Sequence, residues 1–144
     1  MTLPFIMLVD DEAPFVEIMA KRLKKRSIET IQAFSGEESL ETLQTNQNLD
    51  VIVLDVKMPG MDGLETLKRI KADYPLIEII MLTGHATIES GIQGMKLGAF
   101  DFLTKPCDIE ELASKIEDAT QKKRDQEERI MDAERNKLMQ QYES

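Results

Sequence analysis

Tryptophan is absent from the chain, and cysteine and histidine occur once each, as Cys107 and His85. A single cysteine cannot form a disulfide within the chain, and this usage fits a reducing compartment such as the cytoplasm. We expect Cys107 to be chemically inert rather than redox-active. His85 has no second metal ligand or nucleophile beside it in the sequence, so we interpret it as a surface loop residue.

Long apolar runs are also missing, since no stretch approaches the roughly 18 residues of a membrane-spanning helix. The first four residues lack the basic region and cleavage site of a secretory signal. Lysine and arginine number 18 against 27 aspartate and glutamate residues, which gives a net charge of −9. That charge argues against nonspecific binding to nucleic-acid phosphates, although it leaves room for a local basic patch. We therefore expect neither a membrane nor a nucleic acid as a direct partner.

The 144 residues, 42% of them hydrophobic, suffice for one domain with a core. Five short apolar runs alternate with helical patterns along the chain, at residues 5–9, 28–33, 51–54, 77–82 and 99–104. The first, third and fourth runs are nearly continuous and rich in Ile, Val and Leu, which is typical of parallel strands buried on both faces. Alternating strands and helices predict a three-layer α/β fold with right-handed crossovers and a five-stranded parallel sheet.

The last helical pattern begins near Asp108 and continues toward Tyr142. Its apolar stripe ends near Ala119, so we place a folded domain at 1–120 and a helical extension or linker at 121–144. Extending the heptad puts polar residues at the seam, namely Lys123, Gln126, Lys137 and Gln140, and a strong coiled coil avoids that. A solvated helix is the simplest interpretation. A weakly dimerising helix and a linker are the alternatives.

Polar residues follow the predicted strands where each strand ends. Asp10 and Asp11 follow the first strand, Asp55 follows the third, Thr83 ends the fourth and Lys105 follows the fifth. In a sheet of order 2-1-3-4-5, strands one and three are neighbours at the switch point, where functional groups collect. Three converging carboxylates need a counter-charge, and Mg²⁺ is a hard cation that suits oxygen ligands.

The same set of residues suits phosphoryl transfer. A carboxylate can act as the nucleophile and form an aspartyl phosphate, while a metal neutralises charge on the phosphoryl oxygens. A lysine can hold a second oxygen as a point charge, and a hydroxyl can donate a hydrogen bond to a third. Asp55, Lys105 and Thr83 occupy the positions that these three roles require.

Four segments together resemble the receiver domains of response regulators in two-component systems. They fall in that family's order and spacing between residue 4 and about residue 120, and they are Val9-Asp10-Asp11-Glu12, Leu54-Asp55-Val56-Lys57-Met58-Pro59-Gly60-Met61-Asp62-Gly63, Met81-Leu82-Thr83-Gly84 and Phe102-Leu103-Thr104-Lys105-Pro106. Each piece is common, but the combination is specific. The last two segments look most similar to receivers attached to sigma-54-type activators. The resemblance implies a flavodoxin-like, doubly wound sheet with a C-terminal helical extension.

The resemblance also implies a metal site and an acceptor. Asp55 would be the phosphoacceptor, and Asp11 would bind Mg²⁺ directly together with Asp55 and the backbone carbonyl of Lys57. Asp10 would act through a metal-bound water or as a second ligand. The Lys57 side chain is either a group that tunes dephosphorylation or an ordinary exposed lysine.

The remaining implied roles concern the phosphate and the switch. Lys105 would pair with the phosphoryl group, and the Lys105–Pro106 peptide would be cis. Thr83 would bond the phosphoryl group and move toward it. Phe102 stands where the family often has a switch tyrosine, so without a hydroxyl it would act through packing or serve only as core.

The implied function is a phosphorylation-activated switch and not an enzyme with a separate substrate. A sensor histidine kinase would supply the phosphoryl group, in a phosphorelay in the cytoplasm. Helix 4, strand 5 and helix 5 would form the face that binds a downstream protein target or output domain, or that dimerises. Gly91 and Gly94 fall inside helix 4 and either weaken that helix, so that it shifts on phosphorylation, or permit close packing.

Two other classes of α/β protein are possible interpretations of the same pattern. A phosphatase with an aspartate nucleophile places an Asp-x-Asp motif after strand one, and Asp10-Asp11-Glu12 lacks that spacing. A nucleotide-binding domain needs a glycine-rich turn there to supply backbone donors to phosphate, and acidic residues stand there instead. A receiver fold that has lost its chemistry would not need the complete acidic set.

Overall fold

The computed structural model describes residues 3–84 and 87–143, so His85 lies outside the described residues. Strands and helices alternate in chain order as β1 (Phe5–Val9), α1 (Ala13–Lys24), β2 (Glu29–Ala33), α2 (Gly36–Thr45), β3 (Val51–Leu54), α3 (Gly63–Asp73), β4 (Glu78–Thr83), α4 (Ile88–Lys96), β5 (Asp101–Thr104) and α5 (Ile109–Glu143). All five predicted strands are confirmed. No helix of the described residues has the length and hydropathy needed to cross a bilayer.

The five strands form one parallel sheet in the order β2-β1-β3-β4-β5, as predicted. Alternate side chains of the central strands enter two separate cores. One core lies against α1 and α5 and contains Leu8, Val53 and Leu112. The other lies against α2 and α3 and contains Leu54 and Leu67. Burial on both faces explains why β1, β3 and β4 are nearly continuous apolar runs.

Side-chain caps fix where three of the helices begin. The Ser35 side chain accepts a hydrogen bond from the Glu38 N–H at 3.0 Å and so caps the start of α2. Asp62 caps α3 by accepting from the Glu65 N–H at 2.9 Å. Thr87 and Ser90 form a reciprocal capping box at the start of α4. Each cap satisfies backbone donors that the first helical turn leaves free.

The large apolar residues of α4 face outward, unlike most of those in α1, α2 and α3. The sequence places Ile88, Ile92 and Met95 at helical spacing, yet these side chains are 85%, 51% and 48% exposed. The side that approaches the sheet carries Gly94, which is buried. A Cβ at Gly94 would lie 2.6 Å from the Met81 sulfur, whereas one at Gly91 would meet the Phe102 ring at 3.7 Å. Close packing therefore explains Gly94, and it does not explain Gly91.

The two glycines of α4 provide a matched pair of substitutions. Gly91→Ala should raise the free energy of unfolding by about 0.5–1 kcal/mol, because alanine favours the helix and the added methyl only touches Phe102. Gly94→Ala should lower it by about 1–2 kcal/mol, because the methyl displaces a buried sulfur. Both substitutions raise helix propensity by the same amount. The difference between their free energies of unfolding, measured by urea denaturation, therefore reports the packing effect alone. Equal effects of the two substitutions would contradict the packing role of Gly94.

Candidate functional site

The carboxyl ends of β1 and β3 bring three aspartates together. The two strands are hydrogen-bonded neighbours, and the Asp55 N–H donates to the Val9 carbonyl at 3.0 Å. Carboxylate oxygens of Asp10, Asp11 and Asp55 all lie within 4.8 Å of one another. Asp10 and Asp55 are 4% and 3% exposed, while Asp11 faces solvent. The structure thus forms the acidic pocket that the strand ends predict.

Lys105 closes this pocket from the end of β5. Its Nζ lies 2.5 Å from Asp10 Oδ2 and 3.5 Å from Asp55 Oδ2, with Glu12 Oε1 at 4.0 Å. The same ammonium lies 4.2 Å from the centre of the Phe15 ring, in a cation–π arrangement. The ammonium is therefore held among two buried carboxylates and an aromatic face.

Burial and charge act in opposite directions on the pKa values of this pair. Burial raises the pKa of Asp10 above its ordinary value, and the hydrogen bond from Lys105 only partly offsets that rise. For Lys105, burial lowers the pKa, but the bond to Asp10 and the charges of Asp10, Asp55 and Glu12 outweigh burial. The net pKa of Lys105 is raised, so its side chain remains a cation at neutral pH.

Thr83 and Phe102 lie on the neighbouring strands β4 and β5, where Phe102 is in register with Met81. Thr83 is fully buried at the end of β4, and its carbonyl accepts a hydrogen bond from the Lys105 N–H at 2.8 Å. Phe102 is half-buried and packs against the core on the α2 and α3 side. Its ring lies under Gly91 of α4. The backbone of Thr83 is therefore hydrogen-bonded to that of Lys105, and the ring of Phe102 lies against α4.

The loop after β3 is fixed around the Asp55 carboxylate. The Lys57 N–H donates to Asp55 Oδ1 at 3.3 Å, and the Lys57 side chain is exposed. The Glu12 N–H makes the corresponding bond to Asp10 Oδ1 at 2.9 Å. Beyond β5, the Lys105–Pro106 peptide is cis, as the resemblance implies.

Gly63 packs directly against the backbone that carries Asp55. Its N–H donates to the Val56 carbonyl at 2.7 Å, which draws the start of α3 under the loop. A Cβ at this position would lie 2.0 Å from the Asp55 carbonyl oxygen and 2.6 Å from the Val56 Cα. The residue at the start of α3 must therefore be glycine if Asp55 is to keep its position.

Glu12 and Phe15 were not predicted as parts of the site. The sequence places both next to the predicted acidic pair, but nothing in the pattern shows that Lys105 approaches them from a distant strand.

Cys107 is half-buried, and burial raises the pKa of its thiol, which agrees with the expected low reactivity.

Residues 6–117 match the model of the family described as the response regulator receiver domain. Among curated proteins, the chain is 35% identical over 112 residues to the DNA-binding transcriptional regulator NtrC of Klebsiella pneumoniae. It is 35% identical over 114 residues to the transcriptional regulatory protein ZraR of Escherichia coli. These alignments cover 78% and 79% of this chain but 24% and 26% of the relatives. The chain thus spans about a quarter of the length of these regulators.

Solved structures give the same result for the fold. A response regulator receiver domain protein from Clostridium thermocellum superposes with a TM-score of 0.81 at 34% identity, over 85% of this chain and 98% of that one. The receiver domain of NtrX from Brucella abortus gives 0.75 at 30% identity, over 81% and 98%. The predicted likeness to receivers of sigma-54-type activators is confirmed. The chain belongs to the response regulator receiver domain family, whose members are phosphorylation-based signalling switches of two-component systems and not ordinary enzymes.

Proposed function

We propose that the chain accepts a phosphoryl group on Asp55 from a sensor histidine kinase and thereby switches a binding surface. The observation that supports this most directly is the placement of Asp55. Its carboxylate is buried, lies beside Asp10 and Asp11, and has the Lys105 ammonium 3.5 Å away. A buried carboxylate with an adjacent cation and a cation-binding pocket suits a nucleophile for phosphoryl transfer.

In the proposed transfer, an Asp55 oxygen attacks the phosphorus and the bond from phosphorus to the donor nitrogen breaks. The product is an acyl phosphate on Asp55. Lys105 then pairs with a phosphoryl oxygen instead of with Asp10. Thr83, beside Lys105 at the neighbouring strand end, supplies the hydroxyl that bonds a further oxygen. Attack of water on the same phosphorus hydrolyses the acyl phosphate and restores Asp55. The exposed Lys57 side chain would lie near the attacking water.

The donor set fits Mg²⁺, since three carboxylates offer hard oxygen ligands within 4.8 Å of one another. We propose Asp11 and Asp55 as direct ligands together with the backbone carbonyl of Lys57, and Asp10 as a ligand or as an acceptor for a metal-bound water. Bound Mg²⁺ would neutralise charge on the phosphoryl oxygens.

The proposed output surface comprises α4, β5 and the first turns of α5. Ile88, Ile92 and Met95 already form an exposed apolar face there. Phe102 connects this face to the site, because its ring touches α4 and its strand leads into Lys105. A change in Thr83 and Lys105 on phosphorylation would alter the space beside Phe102, so α4 is the element we propose to shift.

We propose a downstream protein target or an output domain as the partner of this face, with homodimerisation as an alternative. The curated relatives are DNA-binding and transcriptional regulators of about four times the matched length. For this chain we propose no direct contact with nucleic acid or membrane, and a cytoplasmic site of action. Residues 1–120 are proposed as the core of the receiver, and residues 121–144 as a helical extension that continues α5.

Labelling with a small acyl phosphate tests this function. Incubation with the donor and Mg²⁺ should add the mass of one phosphoryl group, and the adduct should decay on standing because acyl phosphates hydrolyse. A chelator added before the donor should prevent labelling, since the metal is proposed to stabilise the transferred charge. Light scattering on the same samples shows whether phosphorylation causes dimerisation. Full labelling in the presence of chelator would contradict the proposed metal role.

A further inference from the structure

Two acidic side chains are buried at the end of the sheet opposite the proposed phosphorylation site. Asp50 immediately precedes β3 and is 3% exposed, and Glu78 begins β4 and is 2% exposed. The two residues are adjacent, since the Glu78 N–H donates to the Asp50 carbonyl at 3.1 Å. Buried carboxylates are costly unless cations and hydrogen-bond donors accompany them.

Donors from two directions surround the Asp50 carboxylate. The Phe5 N–H donates to Oδ2 at 3.0 Å from within the sheet. The other donors come from α5, because Lys123 Nζ lies 3.4 Å from Oδ1 and Arg124 Nη2 lies 3.0 Å from Oδ2. Arg124 also donates to the Leu3 carbonyl at 3.2 Å. Lys123 is itself buried, at 6% exposure.

Glu78 also has cations beside it, although its buried Oε2 atom has no hydrogen-bond partner among the described residues. Its carboxylate lies 3.7 Å from Lys71 of α3 and 3.5 Å from Lys122 of α5. Lys122 also lies 5.7 Å from the centre of the Phe100 ring. Three successive residues of α5 thus form ion pairs with two buried acids. Successive side chains of a helix point about 100° apart, so they can reach acids on different sides.

The burial of α5 changes along the same stretch. Residues 123–127 are buried or half-buried, whereas residues 128–143 are all exposed. Glu127 extends the cluster through an ion pair with Lys123 at 3.1 Å. The domain boundary at residue 120 that the sequence predicts is therefore crossed by several ion pairs, which join the helix to the sheet.

We propose that Lys122, Lys123 and Arg124 fasten the helical extension to the amino ends of β3 and β4, so that α5 folds as part of the receiver as far as Glu127. The fastened turn fixes the direction in which residues 128–143 leave the domain. The same two strands carry Asp55 and Thr83 at their other ends, so the extension is attached to the strands that bear the site. This attachment does not depend on phosphorylation.

The test uses the full chain and a matched pair of double variants. Lys123→Met with Arg124→Met removes the two cationic partners of Asp50 while keeping long side chains. Arg135→Met with Lys137→Met makes the same change of charge in the exposed part of the helix. The first variant should lower the Tm by roughly 10 °C, because it leaves a buried carboxylate without its cations. The second should change the Tm by less than roughly 2 °C.

Amide hydrogen exchange in the unaltered chain gives a second and independent measurement. Amides of residues 121–127 should exchange at least about tenfold more slowly than those of residues 132–142, because a fastened turn opens less often than a free one. In the Lys123→Met and Arg124→Met variant the two segments should exchange at similar rates. Similar rates in the unaltered chain would overturn the proposal, as would equal losses of Tm in the two double variants.

A double-mutant cycle separates a specific contact from a general effect of charge. Asp50→Asn keeps a side-chain oxygen for the Phe5 N–H but removes the negative charge. If Asp50 and Lys123 interact, Lys123→Met should cost less in the Asp50→Asn background than in the unaltered chain. Strict additivity of the two substitutions would contradict the pairing and with it the proposal.

Discussion

Replacement of Asp55 by asparagine should abolish labelling by a small acyl phosphate in the presence of Mg²⁺. The amide is a poor nucleophile, and the substitution also removes the negative charge of one of the three carboxylates of the acidic pocket. The side chain is buried and its neighbours accept an isosteric group, so the fold should persist and circular dichroism should remain unchanged. Intact-mass measurement over time provides the readout, with loss of the adduct by at least about a hundredfold.

Asp62→Asn is the matched control for this experiment. Asp62 lies in the same loop region but caps α3 through its side-chain oxygen, and asparagine caps a helix about as well as aspartate. The control should be labelled at the rate of the unaltered chain. An adduct of unchanged yield in Asp55→Asn would place the acceptor on another residue and would refute the proposed function. It would leave the helix attachment at Asp50 untouched, because that proposal is tested without a phosphoryl donor.

Gly63→Ala should lower the free energy of unfolding by about 3 kcal/mol, a large effect for one methyl group. The added Cβ would lie 2.0 Å from the Asp55 carbonyl oxygen and 2.8 Å from its carbon, and these backbone atoms cannot rotate away. Either α3 must withdraw or the loop that carries Asp55 must move. Urea denaturation measures the loss, and the labelling rate of the folded fraction should fall with it because Asp55 is displaced.

The Gly91→Ala substitution described above is the control for Gly63→Ala, since it adds the same methyl group to a helix with only ordinary contacts around it. Opposite signs for the two substitutions are expected. A change smaller than about 1 kcal/mol for Gly63→Ala would show that α3 can retreat without cost. The close approach of α3 to the acceptor loop would then not be a requirement of the fold.

The sheet was predictable because strands that are buried on both faces consist almost entirely of apolar residues. The strands β1, β3 and β4 are nearly continuous apolar runs rich in Ile, Val and Leu, and the polar residue at the end of each run marks the functional edge. Asp10, Asp55 and Lys105 could be placed together for this reason, although distant in sequence. Their distances, and the position of Lys105 over Phe15, depend on side-chain packing that no spacing rule supplies.

The outward apolar face of α4 and the attachment of α5 were not predictable from the same signals. Helical spacing shows that Ile88, Ile92 and Met95 share a face, but it does not show which face meets the sheet. That choice follows from Gly94, whose small size lets the opposite side approach Met81. Likewise, the sequence of residues 122–124 is typical of a solvated helix. Only the folded structure shows that Asp50 and Glu78 lie beside these residues. The clue available in sequence is that both acids adjoin strands that are otherwise apolar.

The Lys105 ammonium, which bonds Asp10 at 2.5 Å, has a consequence for the affinity of the pocket. It acts as an internal counter-ion, so a divalent cation that enters must share or take over carboxylate oxygens already in use. The negative charge that attracts a cation to the pocket is thus partly neutralised by Lys105. Occupancy of the pocket by a metal ion therefore depends on the position of that lysine side chain. Metal and phosphoryl group should consequently favour each other, because the phosphoryl oxygens offer that lysine a new partner and free the carboxylates.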